Sequence, residues 1–269
     1  MSNLKYKCPY DLMFRPIRVA VVGVGGTGGE VIDALTRLHA GLVALGHPGG
    51  LKVTAWDSDT VEPHNIGRQR FSESDIGLHK TITLIQRVNM FYSLSWEANP
   101  RHFDPKKDSF SNYDLVIGCT DLAQFRVDLA DTAANESTSG STLWLDFGNG
   151  KHSGQCVLGH LSKGDDEEFR LPHVVDLYPS IKEVEAFDED TSTPSCSLAD
   201  ALKTQDLFIN AALVKMGMNI LWQLFTEGEI SSHGITVDVR SLKSNPIEIN
   251  EEVWQWVSGY VSDKICFKN

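Results

Sequence analysis

A glycine-rich loop directly after a short apolar run is the feature that most limits how this chain can fold. Residues 18–22, Arg-Val-Ala-Val-Val, have the β-branched pattern of a strand buried on both faces. The next residues, Gly23-Val24-Gly25-Gly26-Thr27-Gly28, allow a tight turn and a close approach of the backbone to phosphate. A helix beginning near Gly28 or Gly29 would direct its free N–H groups at an anion. The loop predicts a nucleotide site, and it suits a dehydrogenase as well as any other nucleotide binder.

An acidic residue ends the next predicted strand, which covers residues 52–57. In dinucleotide-binding folds a carboxylate at this strand end holds ribose hydroxyls, usually about 20 residues after the glycines. Here the interval is longer, because residues 41–50 are rich in turn residues and resemble an inserted loop. We therefore expect Asp57 to bind ribose, with the capping of a turn as the alternative. The chain continues through Asp59 to a polar cluster formed by Asn65, Arg68 and Gln69.

The order of these motifs resembles the adenylation domain of E1-type ubiquitin-activating enzymes, a group that includes the sulfur-carrier activators ThiF, MoeB and HesA. The glycine loop, Asp-x-Asp-x-Val-Glu and Asn-x-x-Arg-Gln follow one another as in that family. Gly77-Leu-His-Lys80 matches its Gly-x-x-Lys, and residues 114–121 match its strand ending in Thr-Asp, with Arg126 following. Leu122 stands where the family usually has asparagine. The resemblance covers residues 17–225 and is nearest to the small ThiF-like proteins of bacterial PRTRC gene clusters.

The resemblance implies ATP-dependent adenylation of the C-terminal carboxylate of a small ubiquitin-like or sulfur-carrier protein that ends in glycine. The two reacting groups are anions, so the site must supply positive charge where negative charge develops. Arg68 suits phosphate oxygens with its planar fork, and Lys80 would act on the same phosphates as a mobile point charge. Asp121, at the carboxyl end of a parallel strand, would hold Mg²⁺. The other nucleotide-binding residues implied are Gly23, Gly25, Gly26, Gly28, Asp57, Asp59, Asn65 and Gln69.

The five cysteines are widely spaced. No pair has the Cys-x-x-Cys spacing by which many family members bind zinc, so we predict no zinc and no disulfide framework. Cys196 falls where many members carry the cysteine that receives the activated carrier. A following helix N-terminus would favour its thiolate, which makes it the candidate thioester nucleophile. The alternative is a loop cysteine without a chemical role.

Strand and helix patterns alternate from Ile17 to about Asn149, which predicts a parallel sheet. The expected fold is α/β, a doubly wound, Rossmann-like and mostly parallel sheet with C-terminal antiparallel strands. We expect one domain over residues 1–269, with an acidic loop at about 161–195 that in the resembled family crosses the active site. Further predicted helices cover residues 29–39, 79–90, 122–133 and 206–225, and further predicted strands cover 143–147, 154–160, 235–239 and 247–249.

Charge and hydropathy exclude several functional classes. The net charge of −12 disfavours nucleic-acid binding, which needs a basic face. No apolar run approaches a membrane span and the N-terminus lacks an apolar signal core, so we expect no membrane segment and a cytoplasmic location. By resemblance we expect a homodimer. The alternatives are an NAD(P)-dependent oxidoreductase, an enzyme that adenylates a tRNA base, and a non-catalytic nucleotide-binding adaptor for a ubiquitin-like partner.

Overall fold

The fold is taken from a computed structural model that describes residues 4–135, 142–161, 169–186 and 205–258. Its strands are β1 Tyr6–Lys7, β2 Ile17–Val22, β3 Leu51–Trp56, β4 Glu97–Asn99, β5 Leu115–Gly118, β6 Leu143–Asn149, β7 Ser153–His160, β8 Glu229–Ile230, β9 Ser232–Asp238 and β10 Lys243–Glu248. Its α-helices are α1 Gly26–Ala44, α2 Lys80–Tyr92, α3 Ala123–Asn135, α4 Val174–Leu177, α5 Ile209–Glu227 and α6 Glu251–Ser258. Short 3₁₀ turns include Pro63–Asn65 and Pro179–Ala186.

An eight-stranded sheet organises the described residues, in the order β10-β9-β7-β6-β5-β2-β3-β4. The strands from β6 to β4 in this order are parallel, whereas β7, β9 and β10 are antiparallel. Helices cover both faces of the sheet. This arrangement confirms the predicted α/β class with C-terminal antiparallel strands. β1 and β8 form a separate antiparallel pair.

The centre of the core is β2, which lies between β3 and β5. It pairs in parallel register with β3 from Ile17↔Leu51 to Val22↔Trp56. Every residue of β2 except Arg18 is buried. A continuous apolar run therefore forms a strand buried on both faces, and each Val or Ile side chain contributes about 1.5–3 kcal/mol through burial.

Two arginines near the N-terminus bind one carboxylate at the amino ends of the strands. Arg15 Nη1 donates to Asp114 Oδ2 at 2.7 Å, and Arg18 Nη2 donates to Asp114 Oδ1 at 2.8 Å. These hydrogen bonds lower the pKa of Asp114 to about 2, against the effect of burial, which raises it. Ligand sites of parallel sheets lie at the opposite ends of the strands, so these arginines stabilise the fold.

Helix α1 corrects the predicted inserted loop over residues 41–50. The helix continues through Ala44, and only residues 45–50 form the turn. A Cβ atom at Gly41 would lie 2.7 Å from the Trp222 ring of α5, so this glycine allows two helices to pack closely. The sequence predicts a loop at Gly41 because residues 41–50 are rich in turn-forming residues.

Part of the predicted acidic loop is ordered into short helices, α4 and the turn at Pro179–Ala186. Residues 162–168 and 187–195, together with Cys196, lie outside the described residues. Within the described ranges, no helix combines the length and apolar character needed to cross a membrane.

Candidate active site

A cleft of about 1160 Å³ opens at the carboxyl ends of the parallel strands. It lies where β2 is flanked by β3 on one side and β5 on the other, which is the point where the strand order reverses. Doubly wound sheets bind their ligands at this point. The cleft brings together most of the residues predicted from the sequence: Gly23, Gly25, Gly26, Asp57, Asp59, Arg68, Gln69, Lys80 and Asp121.

The glycine loop forms one wall of the cleft. Gly23 has φ of 89°, a left-handed conformation, and a Cβ atom there would lie 2.9 Å from the Cys119 carbonyl oxygen. Helix α1 begins at Gly26, earlier than predicted, so Gly28 lies inside the helix. A Cβ atom at Gly28 would overlap the Gly23 carbonyl oxygen. Gly28 is thus required for the helix to pack on the loop, and it is not among the residues that line the cleft.

Asp57 is held at the end of β3 by two backbone donors. Its Oδ2 accepts a hydrogen bond from the Val24 N–H at 2.6 Å, and its Oδ1 accepts one from the Asp59 N–H at 2.8 Å. Burial raises the pKa of Asp57, and these hydrogen bonds oppose the rise. The carboxylate therefore caps a turn and also joins the glycine loop to β3, which presents it to the cleft in the position predicted for ribose binding.

Lys80 begins α2 and is only 7% exposed. Its Nζ donates to Asp59 Oδ2 at 2.9 Å, and its backbone N–H donates to the Asp59 carbonyl oxygen at 3.0 Å. The sequence suggested a mobile point charge, but the ammonium is oriented by this half-buried pair. The structure places the charge at the wall of the cleft.

Asn65 is 2% exposed and supports the turn before Arg68. Its Oδ1 accepts from the Glu62 N–H at 2.9 Å, and its carbonyl oxygen accepts from the Gln69 N–H at 2.9 Å. It is not among the residues that line the cleft. The structure thus directs the Asn65 side chain into the turn, whereas Arg68 and Gln69 face the cleft.

Arg68 is half-buried, and part of its hydrogen-bonding capacity is unused. Its Nη1 donates to Gln205 Oε1 at 3.2 Å, while its Nε is buried with no partner in the described parts of the chain. Burial lowers the pKa of Arg68, and the nearby charge of Asp121 raises it. Gln69 Oε1 is likewise buried without a described partner. Unsatisfied buried polar atoms are uncommon in proteins, and here they lie where a polar ligand would bind.

Asp121 lies just beyond β5, exposed at the wall of the cleft. One exposed carboxylate fits Mg²⁺, which takes one or two carboxylates together with phosphate oxygens and water. In the chain ranges given above, no group of three His, Cys, Asp or Glu residues is arranged to hold a metal by itself. Asp121 would therefore share the ion with a bound phosphate.

Arg126 also lines the cleft, but it is largely buried at the base of this wall. Its Nε lies 2.8 Å from Asp146 Oδ2, and its Nη2 donates to the carbonyl oxygens of Thr120 and Phe147, each at 3.0 Å. The arginine therefore joins the ends of β5 and β6 and fixes the segment that carries Asp121.

Three amide side chains that sequence reasoning missed complete the cleft. Asn210 Oδ1 accepts hydrogen bonds from Thr27 Oγ1 at 3.1 Å and from Asn149 Nδ2 at 3.0 Å. Gln205 Oε1 accepts from Asn210 Nδ2 at 3.1 Å. No local pattern distinguishes these amides, because they meet Thr27 and Arg68 only in the folded chain.

A family model described as ThiF family matches residues 13–223. A ubiquitin-like modifier-activating enzyme 5 of Aedes aegypti is 25% identical over 246 residues, which is 85% of this chain and 57% of that protein. The adenylyltransferase and sulfurtransferase UBA4 of Vanderwaltozyma polyspora is 28% identical over 160 residues, 54% of this chain and 34% of that protein. The chain therefore spans between about a third and somewhat over half of these relatives.

The same fold occurs in the crystal structure of E. coli MccB with ATP. The two chains superpose with a TM-score of 0.55 at 14% sequence identity, over 89% of this chain and 65% of that one. This likeness concerns the fold alone. The family model, in contrast, covers most of the chain, including the glycine loop and every residue that lines the cleft. The chain belongs to the ThiF family.

Proposed function

We propose that this protein uses ATP to adenylate the C-terminal carboxylate of a small ubiquitin-like or sulfur-carrier protein and releases pyrophosphate. The observation that carries the proposal is the meeting of Asp57, Arg68, Lys80 and Asp121 with the glycine loop in one cleft. The activities named for the two relatives, modifier activation and adenylyl transfer, support it.

In the proposed reaction a carboxylate oxygen of the carrier attacks the α-phosphorus of ATP. A new P–O bond forms to the carboxylate, and the bond between the α-phosphorus and the bridging oxygen breaks, so pyrophosphate takes the electron pair. Negative charge grows on the phosphate oxygens during this step. Because the positively charged side chains of Arg68 and Lys80 are already oriented before the reaction, they stabilise that charge without reorganisation.

The cleft residues have distinct tasks in this proposal. Asp57 accepts from the ribose hydroxyls, and the N–H groups at the start of α1 face the phosphates. Arg68 provides two parallel donors and Lys80 a single charge, which compensate the developing charge of the α-phosphate and of pyrophosphate. Mg²⁺, held by Asp121, would neutralise phosphate charge. An NAD(P)-dependent oxidoreductase would use the glycine loop and Asp57 but would leave Arg68 and Lys80 without a task.

The test is ATP–pyrophosphate exchange with small ubiquitin-like or sulfur-carrier proteins that end in glycine. We expect exchange that depends on the carrier, and Arg68→Ala should reduce it by about 100- to 1000-fold because it removes donors from the developing charge. Arg240→Ala is the matched control, since Arg240 is exposed and lies outside the cleft. Exchange that survives Arg68→Ala would contradict the assigned role. Binding of NAD in preference to ATP would instead favour the oxidoreductase, and ATP binding without any exchange would favour the adaptor.

Transfer of the activated carrier to Cys196 is a separate part of the proposal. Cys196→Ser should abolish a thiol-sensitive conjugate between the protein and its carrier and leave ATP–pyrophosphate exchange intact, because the adenylate forms before the thioester. Cys8→Ser is the control for loss of a thiol. Retention of the conjugate in Cys196→Ser would assign the nucleophile elsewhere.

A further inference from the structure

Gln205 connects the residue that would bind phosphate to the start of α5. Its Oε1 accepts one hydrogen bond from Arg68 Nη1 at 3.2 Å and a second from Asn210 Nδ2 at 3.1 Å. Both acceptor positions of the oxygen are thereby used, and the side chain lines the cleft. Gln205 is therefore placed to hold the guanidinium of Arg68 in one orientation.

Asn210 connects the same amide pair to the glycine loop. It is 5% exposed, and its Oδ1 accepts from Thr27 Oγ1 at 3.1 Å. A Cβ atom at Gly26 would lie 2.5 Å from Asn210 Nδ2, so the backbone at the start of α1 touches the amide directly. Arg68 and the glycine loop come from different parts of the chain, and both contact the hydrogen-bonded pair of Gln205 and Asn210 at the start of α5.

The next residue fixes Gln205 from the other side. The Asp206 N–H donates to the Lys151 carbonyl oxygen at 2.9 Å, and Asp206 Oδ2 lies 2.6 Å from His152 Nδ1. Lys151 and His152 belong to the turn between β6 and β7. The backbone at Gln205 is therefore attached to the sheet, and this attachment restricts movement of the Gln205 side chain that contacts Arg68.

The neutrality of Gln205 matters as much as its position. Arg68 is half-buried and its Nε is without a partner among the described residues. Burial lowers its pKa, whereas the charge of Asp121, which makes no hydrogen bond to the guanidinium, raises it. A carboxylate hydrogen-bonded to Arg68 in the place of the Gln205 amide would neutralise the guanidinium and compete with phosphate for its donors. An amide oxygen engages one donor and leaves the positive charge available.

We propose that Gln205 is a positioning residue that orients Arg68 toward the phosphates of the nucleotide without neutralising its charge. This inference rests on the proposed function, because it assumes that the cleft binds a triphosphate. It assigns Gln205 no contact with the reacting atoms. It extends the phosphate site to the start of α5.

The experiment compares Gln205→Glu, Gln205→Ala and Arg68→Ala with the unmodified chain. Glutamate has nearly the shape of glutamine and keeps an acceptor for Arg68 and Asn210, so packing and thermal stability should be retained. Its charge should pair with Arg68 and weaken the binding of inorganic tripolyphosphate, measured by calorimetry, by about tenfold, since a charge-assisted hydrogen bond competes with the ligand. Gln205→Ala should weaken binding less, because Arg68 is disordered but not neutralised. Gln223→Glu, which adds the same charge on an exposed position of α5, is the control.

The outcomes separate this inference from the proposed function. If Gln205 only fills space, Gln205→Glu will bind tripolyphosphate like the unmodified chain and Gln205→Ala will be the weaker variant, which overturns the inference and leaves adenylation intact. If the expected order of affinities is found but carrier-dependent exchange is absent, the positioning role stands and adenylation fails. If the unmodified chain binds neither tripolyphosphate nor ATP, both proposals are wrong.

Discussion

Replacement of Lys80 by methionine is predicted to affect catalysis much more than folding. The ammonium is nearly buried and pairs with Asp59 at 2.9 Å, but the Asp59 side chain is 58% exposed, so water can solvate the carboxylate when its partner is lost. Methionine has similar length and tolerates the apolar surroundings of the aliphatic stem. The loss of such a half-exposed pair costs about 1 kcal/mol. For a chain of this size, we expect Tm to fall by only about 2–4 °C.

The expected catalytic loss is larger because the charge acts where negative charge develops. Removing one preoriented donor from such a site costs about 3–4 kcal/mol, equivalent to roughly 100- to 1000-fold in rate. We therefore expect Lys80→Met to reduce ATP–pyrophosphate exchange by that factor at saturating ATP. Lys243→Met, at an exposed position of β10, is the matched control and should leave exchange unchanged.

Substitution of the other residue of the ion pair, Asp59, provides a second test of the expected effect on stability. Asp59→Asn leaves the nearly buried ammonium without its charged partner, and we expect a larger stability loss, about 2 kcal/mol, than for Lys80→Met. Urea unfolding of the two variants measures this order. Exchange that is unaffected by Lys80→Met, or a Lys80→Met protein less stable than Asp59→Asn, would refute the reasoning.

Three further predictions concern three buried histidines, the buried Arg126 and the glycine loop. Burial lowers the pKa of His160 to about 3 and those of His173 and His233 to about 4. Below pH 6.5 the unfolded chain therefore binds more protons than the folded one, so the free energy of unfolding must decrease as the pH is lowered. Between pH 7 and pH 5 each histidine should cost about 2 kcal/mol in urea unfolding, and a flat profile over this range would contradict their burial in the neutral form. Arg126→Met should destabilise the fold by about 3–5 kcal/mol, since it leaves its carboxylate partner buried and unpaired, and a loss below 1 kcal/mol by urea unfolding would contradict this. Gly28→Ala should displace the glycine loop and weaken ATP binding, and an unchanged Kd by calorimetry would show that the loop tolerates the extra carbon.

Much of the fold follows from patterns between near neighbours. The β-branched run at β2, the glycines after it and the alternation of helices with strands predict a parallel sheet with a ligand site at its carboxyl edge. Asp57 and Asp121 were found in the same way, because each follows a strand and parallel strands bring their ends together. Arg68, Gln69 and Lys80 do not follow a strand, and they were assigned from the resemblance to the E1-type adenylation domain. Cys196, predicted as a nucleophile, lies outside the described residues and stays a prediction.

What the sequence alone determined is therefore the class of fold and most of the charged residues of the cleft, because strand ends, glycine turns and the family motifs are encoded within a few residues. Only the tertiary structure decided how these side chains are held. The Asn65 side chain accepts a hydrogen bond within its own turn, and Lys80 pairs with Asp59. Helix α1 continues through Gly41, where it packs against Trp222. The hydrogen bond between Arg68 and Gln205 joins residues 137 positions apart. Such contacts depend on where distant elements pack, and no local pattern carries that information.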